Sequence, residues 1–329
     1  MQPDRSLITI DRNLENIEQL LHELVLQPRI NALKWSDITK QTPNIKIGYP
    51  GQHLASLITG IPGDRTGARG HDLIDGSEVK SCSRIDQLDK CRDYKAPVAR
   101  VETNCSECDS SNIERKDDSK WLFTIKSEKD LVVLTKQVER VLLIISDYPN
   151  FEAQDYDTLR FQSFEIWTRS ERHSKFKEIL TNYYQNIYLL NKNKSPHTTP
   201  APQNFWPCKY QFYLCNPILT FSCTITNASL IPKIEIESYI EPHLDRSTIP
   251  SILMPLKILK KEERSLIAQK ANLSGIDNLP EYIDENLRKY LSLRLTLPTK
   301  SASTMYQRRV RKTKEINLFL LLNLFKNYS

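Results

Sequence analysis

The residues best suited to chemistry are two aspartates, a glutamate and a lysine within residues 72–80, DLIDGSEVK. Asp75-Gly76 is a typical hairpin-turn dipeptide, because both central positions of a type I′ turn need positive φ. The flanking residues are therefore predicted to form two antiparallel strands. Side chains alternate along a strand, so Glu78 and Lys80 would point into the same space. The pattern predicts a carboxylate and an ammonium group side by side on one strand.

A second carboxylate beside Glu78 would complete a metal site. Two carboxylates a few ångströms apart repel each other unless a divalent cation neutralises them. Mg²⁺ with a lysine beside it suits phosphodiester hydrolysis, because the metal polarises the phosphate and its bound water while the ammonium group helps to hold the attacking water. The simpler alternative is an acidic turn at which Glu78 and Lys80 form a surface ion pair.

Either aspartate can supply the second carboxylate. In an ideal two-residue hairpin, Asp72 lies opposite Val79 rather than Glu78, so a bulge or a strand crossing would have to re-aim its side chain. Bulges are common beside active sites. Asp75, at the turn itself, is the alternative ligand.

The spacing of Asp72 and Glu78-Val79-Lys80 resembles that of the PD-(D/E)xK nuclease superfamily, and the short gap is similar to that of the mismatch-repair nickase MutH. Other segments, from about residue 45 to about residue 255, resemble the MamI group of type II restriction endonucleases. These segments are residues 48–60 (GYPGQHLASLITG), 67–70 (GARG), 78–84 (EVKSCSR), 121–123 (WLF), 164–167 (FEIW) and 181–184 (TNYY).

The resemblance implies an α/β fold with a PD-(D/E)xK core, in which helices flank a mixed central sheet. It implies that Asp72 and Glu78 hold Mg²⁺, that the Val79 carbonyl completes part of its shell and that Lys80 positions the water. MutH-like enzymes often carry a further acid on the preceding helix, where this chain has Gln52, His53 and Ser56.

The implied activity is that of a type II restriction endonuclease, which hydrolyses double-stranded DNA at a specific site. A palindromic site would favour a homodimer, and the genetic partner would be a cognate DNA methyltransferase. A MutH-like repair nickase is the alternative enzyme. A non-catalytic zinc-ribbon DNA-binding protein is the alternative from another class.

The cysteines predict a second metal site. Cys105-Ser106-Glu107-Cys108 has the spacing of a zinc knuckle, and Cys91 lies upstream at a distance that suits the other half of a four-cysteine ribbon. Tyr94 stands where the fourth cysteine is expected. An odd number of cysteines, seven in all, argues against a disulfide framework.

Structural zinc is nearly always four-coordinate, so three thiolates need a further ligand. Cys82 and Asp93 are the candidates. The alternative is a ribbon that has lost its zinc and is held together by packing.

Two groups of residues are candidates for DNA contacts. Arginines near the proposed site, which would attract the phosphate backbone, are Arg65, Arg69 and Arg84. Candidates for reading base edges are Arg169, Arg172, Asn182 and Asn186. The basic segment 300–314 could be a further DNA-contacting arm or a solvated tail.

Periodicity alone predicts a mixed α/β core, and together with the resemblance it implies four regions: an N-terminal helical segment at 1–44, a nuclease core at 45–195 with a ribbon insertion at 86–119, a β-rich DNA-contacting subdomain at 196–255 and a helical C-terminal extension at 256–329. The length of 329 residues allows one large core with additions.

The net charge of +6 is mild for a DNA-binding protein. No apolar run follows a basic start, and no segment has the roughly 20 apolar residues that a membrane span needs. These features predict a cytoplasmic protein without a membrane partner. A phosphate-binding P-loop is also absent from the sequence, which argues against an ATP-driven mechanism.

Overall fold

Helices and strands alternate along the chain in the computed structural model, which describes residues 1–43, 48–64, 71–207 and 209–294. The helices are α1 (Asn13–Leu21), α2 (Gln27–Thr39), α3 (Gly48–Thr59), α4 (Glu128–Val132), α5 (Ser174–Tyr183), α6 (Leu189–Lys194), α7 (Tyr210–Leu214), α8 (Lys261–Lys270) and α9 (Glu285–Arg288). The strands are β1 (Glu78–Ser83), β2 (Asp89–Cys91), β3 (Pro97–Val98), β4 (Ile113–Glu114), β5 (Trp121–Phe123), β6 (Arg140–Asp147), β7 (Leu159–Trp167), β8 (Gln203–Phe205), β9 (Ile218–Thr226), β10 (Lys233–Tyr239), β11 (Met254–Pro255) and β12 (Tyr282–Ile283).

A mixed five-stranded sheet in the order β1-β6-β7-β9-β10 forms the centre of the protein. β6 is buried at every position, as its continuous apolar sequence predicts for a strand that is covered on both faces. It pairs in parallel with β1 and antiparallel with β7. The predicted mixed sheet flanked by helices is therefore present.

Apolar side chains of the sheet alternate between two hydrophobic clusters, one on each face. Leu142 and Ile144 of β6 belong to the cluster that also contains residues of α1 and α3. Val141 and Leu143 belong to the cluster that contains residues of α5, α7 and α8. Because β6 is covered on both sides, it fixes the position of β1, which carries Glu78 and Lys80.

The remaining regions are attached to this sheet. Residues 86–119, predicted as a ribbon, carry β2, β3 and β4, which form a small sheet in the order β3-β2-β4. Residues 196–255, predicted as a β-rich subdomain, contribute β9 and β10 to the central sheet, while β8 pairs with β5. The main strands of this region therefore extend the central sheet. At the end of this region, β11 pairs with β12, which lies between α8 and α9.

Helix α4 begins at a capping box formed by Ser127 and Asp130. Ser127 Oγ accepts a hydrogen bond from the Asp130 N–H, and the Asp130 carboxylate accepts one from the Ser127 N–H. Of the helices in the described ranges, none is both long enough and apolar enough to cross a bilayer.

Candidate active site

The turn before β1 differs from the predicted hairpin. Gly76 has φ +81°, and its N–H donates to the Leu73 carbonyl at 3.0 Å, so the turn chemistry is present. Leu73, however, makes only an isolated bridge with Gly63, and β1 pairs with β6. The prediction of two antiparallel strands is wrong: the residue before the turn bridges Gly63, and the strand after it pairs in parallel with β6.

Asp72 is brought back to the start of β1 by an irregular backbone segment. Its N–H and that of Leu73 both donate to the Ser77 carbonyl, at 2.8 and 3.2 Å, which folds the segment back. The Asp72 carboxylate then accepts a hydrogen bond from the Val79 N–H, with Oδ2 2.7 Å from the nitrogen. The carboxylate therefore lies against the residue between Glu78 and Lys80.

Glu78 and Lys80 point to the same side of β1, as predicted. The Lys80 ammonium group donates to Glu78 Oε1, and Glu78 is buried with only 7% of its surface exposed. Both side chains line a cleft. The other lining residues come from β5, α4 and the segments next to them: Leu122, Thr124, Lys126, Asp130, Val133 and Leu134.

The donor set at this place fits a hard divalent cation. The Asp72 carboxylate contacts the Val79 N–H, Glu78 is the neighbouring residue, and carboxylate oxygens are the ligands that Mg²⁺ prefers. Lys80 supplies a positive group next to them. This arrangement can hold a metal and a water molecule beside a phosphate group.

Asp75 is engaged elsewhere. Its Oδ1 accepts the Ser77 N–H at 2.9 Å, and its Oδ2 lies 3.0 Å from Arg140 Nη2. Arg140 is 1% exposed and also donates from Nε to Ser77 Oγ at 3.0 Å. Both oxygens of Asp75 therefore stabilise the turn, which leaves Asp72 as the carboxylate adjacent to Val79.

Arg140 also belongs to a buried ion-pair network that the sequence analysis did not predict. Glu165, fully buried, accepts hydrogen bonds from Arg140, from Arg246 and from the Trp167 indole. Burial alone would raise the pKa of Glu165, but the two guanidinium groups outweigh it and lower this pKa below its ordinary value. The sequence does contain a signal for this network, namely one charged residue in each of two largely apolar strands: Arg140 in β6 and Glu165 in β7.

Helix α3 brings Gln52 to the site through a close helix–strand contact. A Cβ atom at Gly51 would lie 2.1 Å from Ser81 Oγ, so only glycine permits this approach. Gln52 Nε2 lies 3.4 Å from Asp72 Oδ1. The side chain that α3 places beside Asp72 is therefore an amide rather than a further carboxylate.

Several arginines predicted to contact DNA have protein partners. Arg84 is paired with Asp117 at 2.9 Å, and its side chain is 11% exposed. Arg172 is paired with Glu285 at 2.7 Å. The predicted contacts Arg65 and Arg69, and the basic segment 300–314, lie outside the described residues.

The other predicted base-reading residues are more accessible. Arg169 is paired with Glu139 at 2.9 Å and keeps 58% of its side chain exposed. Asn186 Nδ2 donates to Asn182 Oδ1 at 2.9 Å on the surface of the helix that follows β7.

The structure brings the three predicted zinc-binding cysteines together. The sulfur atoms of Cys91, Cys105 and Cys108 all lie within 4.8 Å of one another. Neither proposed fourth ligand belongs to this group. Cys82 packs in the large core, where burial raises its pKa to about 12. The Asp93 carboxylate accepts hydrogen bonds from Ser110 and Asn112.

Comparison with known proteins identifies the family. The model of the MamI restriction endonuclease family matches residues 34–257. The type II restriction enzyme MamI of Microbacterium ammoniaphilum is 33% identical over 85 residues, which cover 26% of this chain and 28% of that enzyme. The alignment thus spans little more than a quarter of the length of the curated relative. No solved structure matches the chain. Because the family match extends over more than half of the sequence, the chain belongs to the MamI restriction endonuclease family.

Proposed function

We propose that this chain is a site-specific endonuclease that hydrolyses phosphodiester bonds of double-stranded DNA with Mg²⁺. The observation that carries the proposal is the contact of the Asp72 carboxylate with the backbone of Val79, between Glu78 and Lys80. This contact places the aspartate and the Glu-x-Lys half of the motif at one edge of the sheet. Membership of the MamI family supports the same activity.

In this proposal Asp72 and Glu78 hold the Mg²⁺ ion, together with the Val79 carbonyl. When bound, the metal polarises the scissile phosphate and lowers the pKa of a water molecule. The burial of Glu78 favours this role, since a buried carboxylate needs a cation to compensate its charge. Lys80 supplies part of that compensation through its contact with Glu78.

Lys80 has a second role in the proposal. Its ammonium group can donate a hydrogen bond to the attacking water and stabilise the negative charge that develops on the phosphate. The parallel pairing of Lys80 with Leu143 of the buried strand β6 fixes the backbone from which the ammonium group extends. Catalysis then depends on a group whose position is set by the sheet.

We infer the substrate and the assembly by analogy with the family. The relative from Microbacterium ammoniaphilum is named as a type II restriction enzyme, and we infer the same class of reaction here. A palindromic site would be bound by a homodimer, because two-fold symmetric DNA matches a two-fold symmetric protein. A methyltransferase that modifies the same site would be its genetic partner.

The proposal is tested by incubating the purified protein with long unmethylated DNA, with and without Mg²⁺, and sequencing the ends that form. We expect double-strand breaks at one recurring sequence, formed only with Mg²⁺ and lost in Glu78→Ala. Single incisions at each site would indicate a nickase. Tight DNA binding without any cleavage would contradict the proposal and would favour a non-catalytic DNA-binding protein.

A further inference from the structure

Two turns in the ribbon have the same backbone construction. In the first, the Lys95 N–H donates to the Cys91 carbonyl at 3.0 Å, and Lys95 has φ +69°. In the second, the Asp109 N–H donates to the Cys105 carbonyl at 2.8 Å, and Asp109 has φ +54°. Each turn thus begins at a cysteine and ends at a left-handed residue four positions later.

The second turn carries two thiols and the first carries one. Cys108 occupies the fourth position of the Cys105 turn, and Tyr94 occupies the same position of the Cys91 turn. The Tyr94 N–H donates to Cys91 Sγ at 3.3 Å and lowers the pKa of this thiol. The Tyr94 residue itself is 60% exposed. The first turn therefore keeps the form of a metal-binding knuckle but lacks its second sulfur.

The distance between the sulfurs is that of a metal site. Cys91 Sγ and Cys108 Sγ are 3.7 Å apart. Two sulfurs that each lie about 2.3 Å from a tetrahedral zinc ion are separated by about 3.8 Å, whereas the sulfurs of a disulfide are about 2.05 Å apart. All three cysteines are free in this structure.

The hydrophobic cluster around the thiols is too small to hold the ribbon together without a metal. The hydrophobic cluster of the ribbon contains three buried residues, Cys91, Val98 and Cys105, with only Ala96 and Ile113 packed against them. Two of these three are the sulfur donors. A core of this size buries little apolar surface, and small modules of this kind usually need a metal or disulfides to fold.

We propose that the ribbon binds one Zn²⁺ ion through the thiolates of Cys91, Cys105 and Cys108, with a water molecule in the fourth position next to the Tyr94 turn. Each bound thiol releases its proton to solvent, so the site forms more readily as the pH rises. Three protein ligands and a water complete the four-coordinate geometry that zinc prefers.

The contacts that attach the ribbon to the rest of the protein do not involve Asp72, Glu78 or Lys80. The base of the ribbon is fixed by Asp89, which is fully buried and paired with Arg100 at 2.8 Å and with Arg115 at 2.9 Å. The Arg100 guanidinium also lies 4.8 Å from the centre of the Phe151 ring. These contacts need no metal, so loss of zinc should unfold the two cysteine turns and leave the base of the ribbon attached.

The test uses the full-length reduced protein, loaded with Zn²⁺ and then freed of loosely bound ions. We expect about one zinc per chain by elemental analysis, and at least a tenfold loss of zinc affinity in Cys105→Ser. Asp93→Asn is the matched control: it alters a ribbon carboxylate that is bonded to Ser110 and Asn112, and it should retain the metal.

Tyr94→Cys provides the decisive variant, because it adds a sulfur at the position that the Cys91 turn leaves empty. We expect it to release zinc to a chelator at least tenfold more slowly than the wild type, and its Co²⁺ form to show stronger thiolate charge-transfer absorption. Tyr94→Phe should behave like the wild type. Hydrogen exchange should show that zinc protects residues 91–113 in the wild type.

Three results would overturn the proposal. The first is wild-type protein that takes up no zinc while residues 91–113 stay protected from exchange, which would mean a ribbon held by packing. The second is a Cys91–Cys108 disulfide detected in the protein as isolated. The third is equal zinc content and release rate in the wild type and Cys105→Ser. None of these measurements depends on DNA cleavage.

Discussion

Arg140 holds Asp75 in a buried ion pair, with Nη2 3.0 Å from Oδ2, at the turn that precedes β1. The Arg140 side chain is 1% exposed and that of Asp75 is 8% exposed, so water screens this pair poorly. Removing one member of a buried pair leaves an uncompensated charge and is strongly destabilising. The pair therefore gives Asp75 a structural role and distinguishes it from Asp72, which contacts the Val79 backbone.

Substitution of the two aspartates should separate these roles. Asp72→Asn should abolish Mg²⁺-dependent cleavage and leave the unfolding free energy nearly unchanged, because the amide oxygen can still accept the Val79 N–H. Asp75→Asn should lower the unfolding free energy by up to about 3 kcal/mol and retain cleavage by the folded fraction. Denaturant titration and single-turnover cleavage measure the two effects. If Asp75→Asn lost cleavage without losing stability, the two roles would have to be exchanged.

Gln52 should control how many metal ions bind. Its amide lies 3.4 Å from Asp72 Oδ1, so Gln52→Glu would add a carboxylate to the site. We expect the number of Ca²⁺ ions bound per chain to rise from about one to about two, because clustered carboxylates require cations. Gln52→Ala serves as the control and should keep one. Calorimetric titration gives the stoichiometry, and an unchanged value in Gln52→Glu would show that Gln52 does not border the metal.

His173 should make stability depend on pH in the mildly acidic range. Burial lowers its pKa to about 4, its Nδ1 donates to the Cys215 carbonyl at 2.8 Å, and no partner for Nε2 is found among the described residues. The unfolded chain, with a histidine pKa of about 6.5, then binds the proton more strongly than the folded one.

Stability should therefore be complete above about pH 6.5 and fall as the pH decreases toward 4, by about 3 kcal/mol from this group. His173→Gln should remove this part of the slope while lowering stability at neutral pH. Unfolding free energies measured from pH 7 to 4 provide the check. If the unfolding free energies of the wild type and His173→Gln changed equally with pH, His173 would not be the group responsible.

The arginines after β7 should have different effects. Arg172 donates to Glu285 and to Ser251, so Arg172→Ala should lower the unfolding free energy by about 2 kcal/mol. Arg169 is mostly exposed. Arg169→Ala should reduce discrimination between the target and its near-matches by about 1–3 kcal/mol if it contacts a base.

Cleavage of targets with single base changes, together with thermal unfolding, distinguishes these outcomes. Glu139→Gln is a useful control, because it removes the partner of Arg169 and keeps the arginine. Unchanged specificity in Arg169→Ala would direct the search for base recognition to Asn182 and Asn186.

Local signals in the sequence predicted the elements that depend on local chemistry. The continuous apolar run at residues 141–146 indicates a buried strand, and the spacing of Ser127 and Asp130 indicates a helix-capping box; the structure contains both. The antiparallel hairpin was not confirmed: the Asp75-Gly76 turn forms, but Leu73 bridges Gly63, and β1 pairs in parallel with β6 about 60 residues later.

Local sequence signals also cannot predict which charged residues pair with each other after folding. Glu78 and Lys80 share a face because strand periodicity is local. The partners of Arg84, Arg140 and Arg172 are Asp117, Glu165 and Glu285, which are distant in the sequence. Residue type alone suggested DNA contacts for Arg84 and Arg172, because nothing in the sequence marks which carboxylate each arginine meets after folding.

The most direct test of the nuclease assignment is the single-turnover rate of DNA cleavage by Lys80→Ala with saturating Mg²⁺. The matched control is Lys175→Ala, which removes a lysine from the ion pair with Glu178 on α5 and does not change a residue that lines the cleft. We predict that Lys80→Ala cleaves about 10²–10⁴-fold more slowly than the wild type, while DNA binding and unfolding free energy change little and Lys175→Ala cleaves normally. Cleavage by Lys80→Ala at close to the wild-type rate would contradict the account.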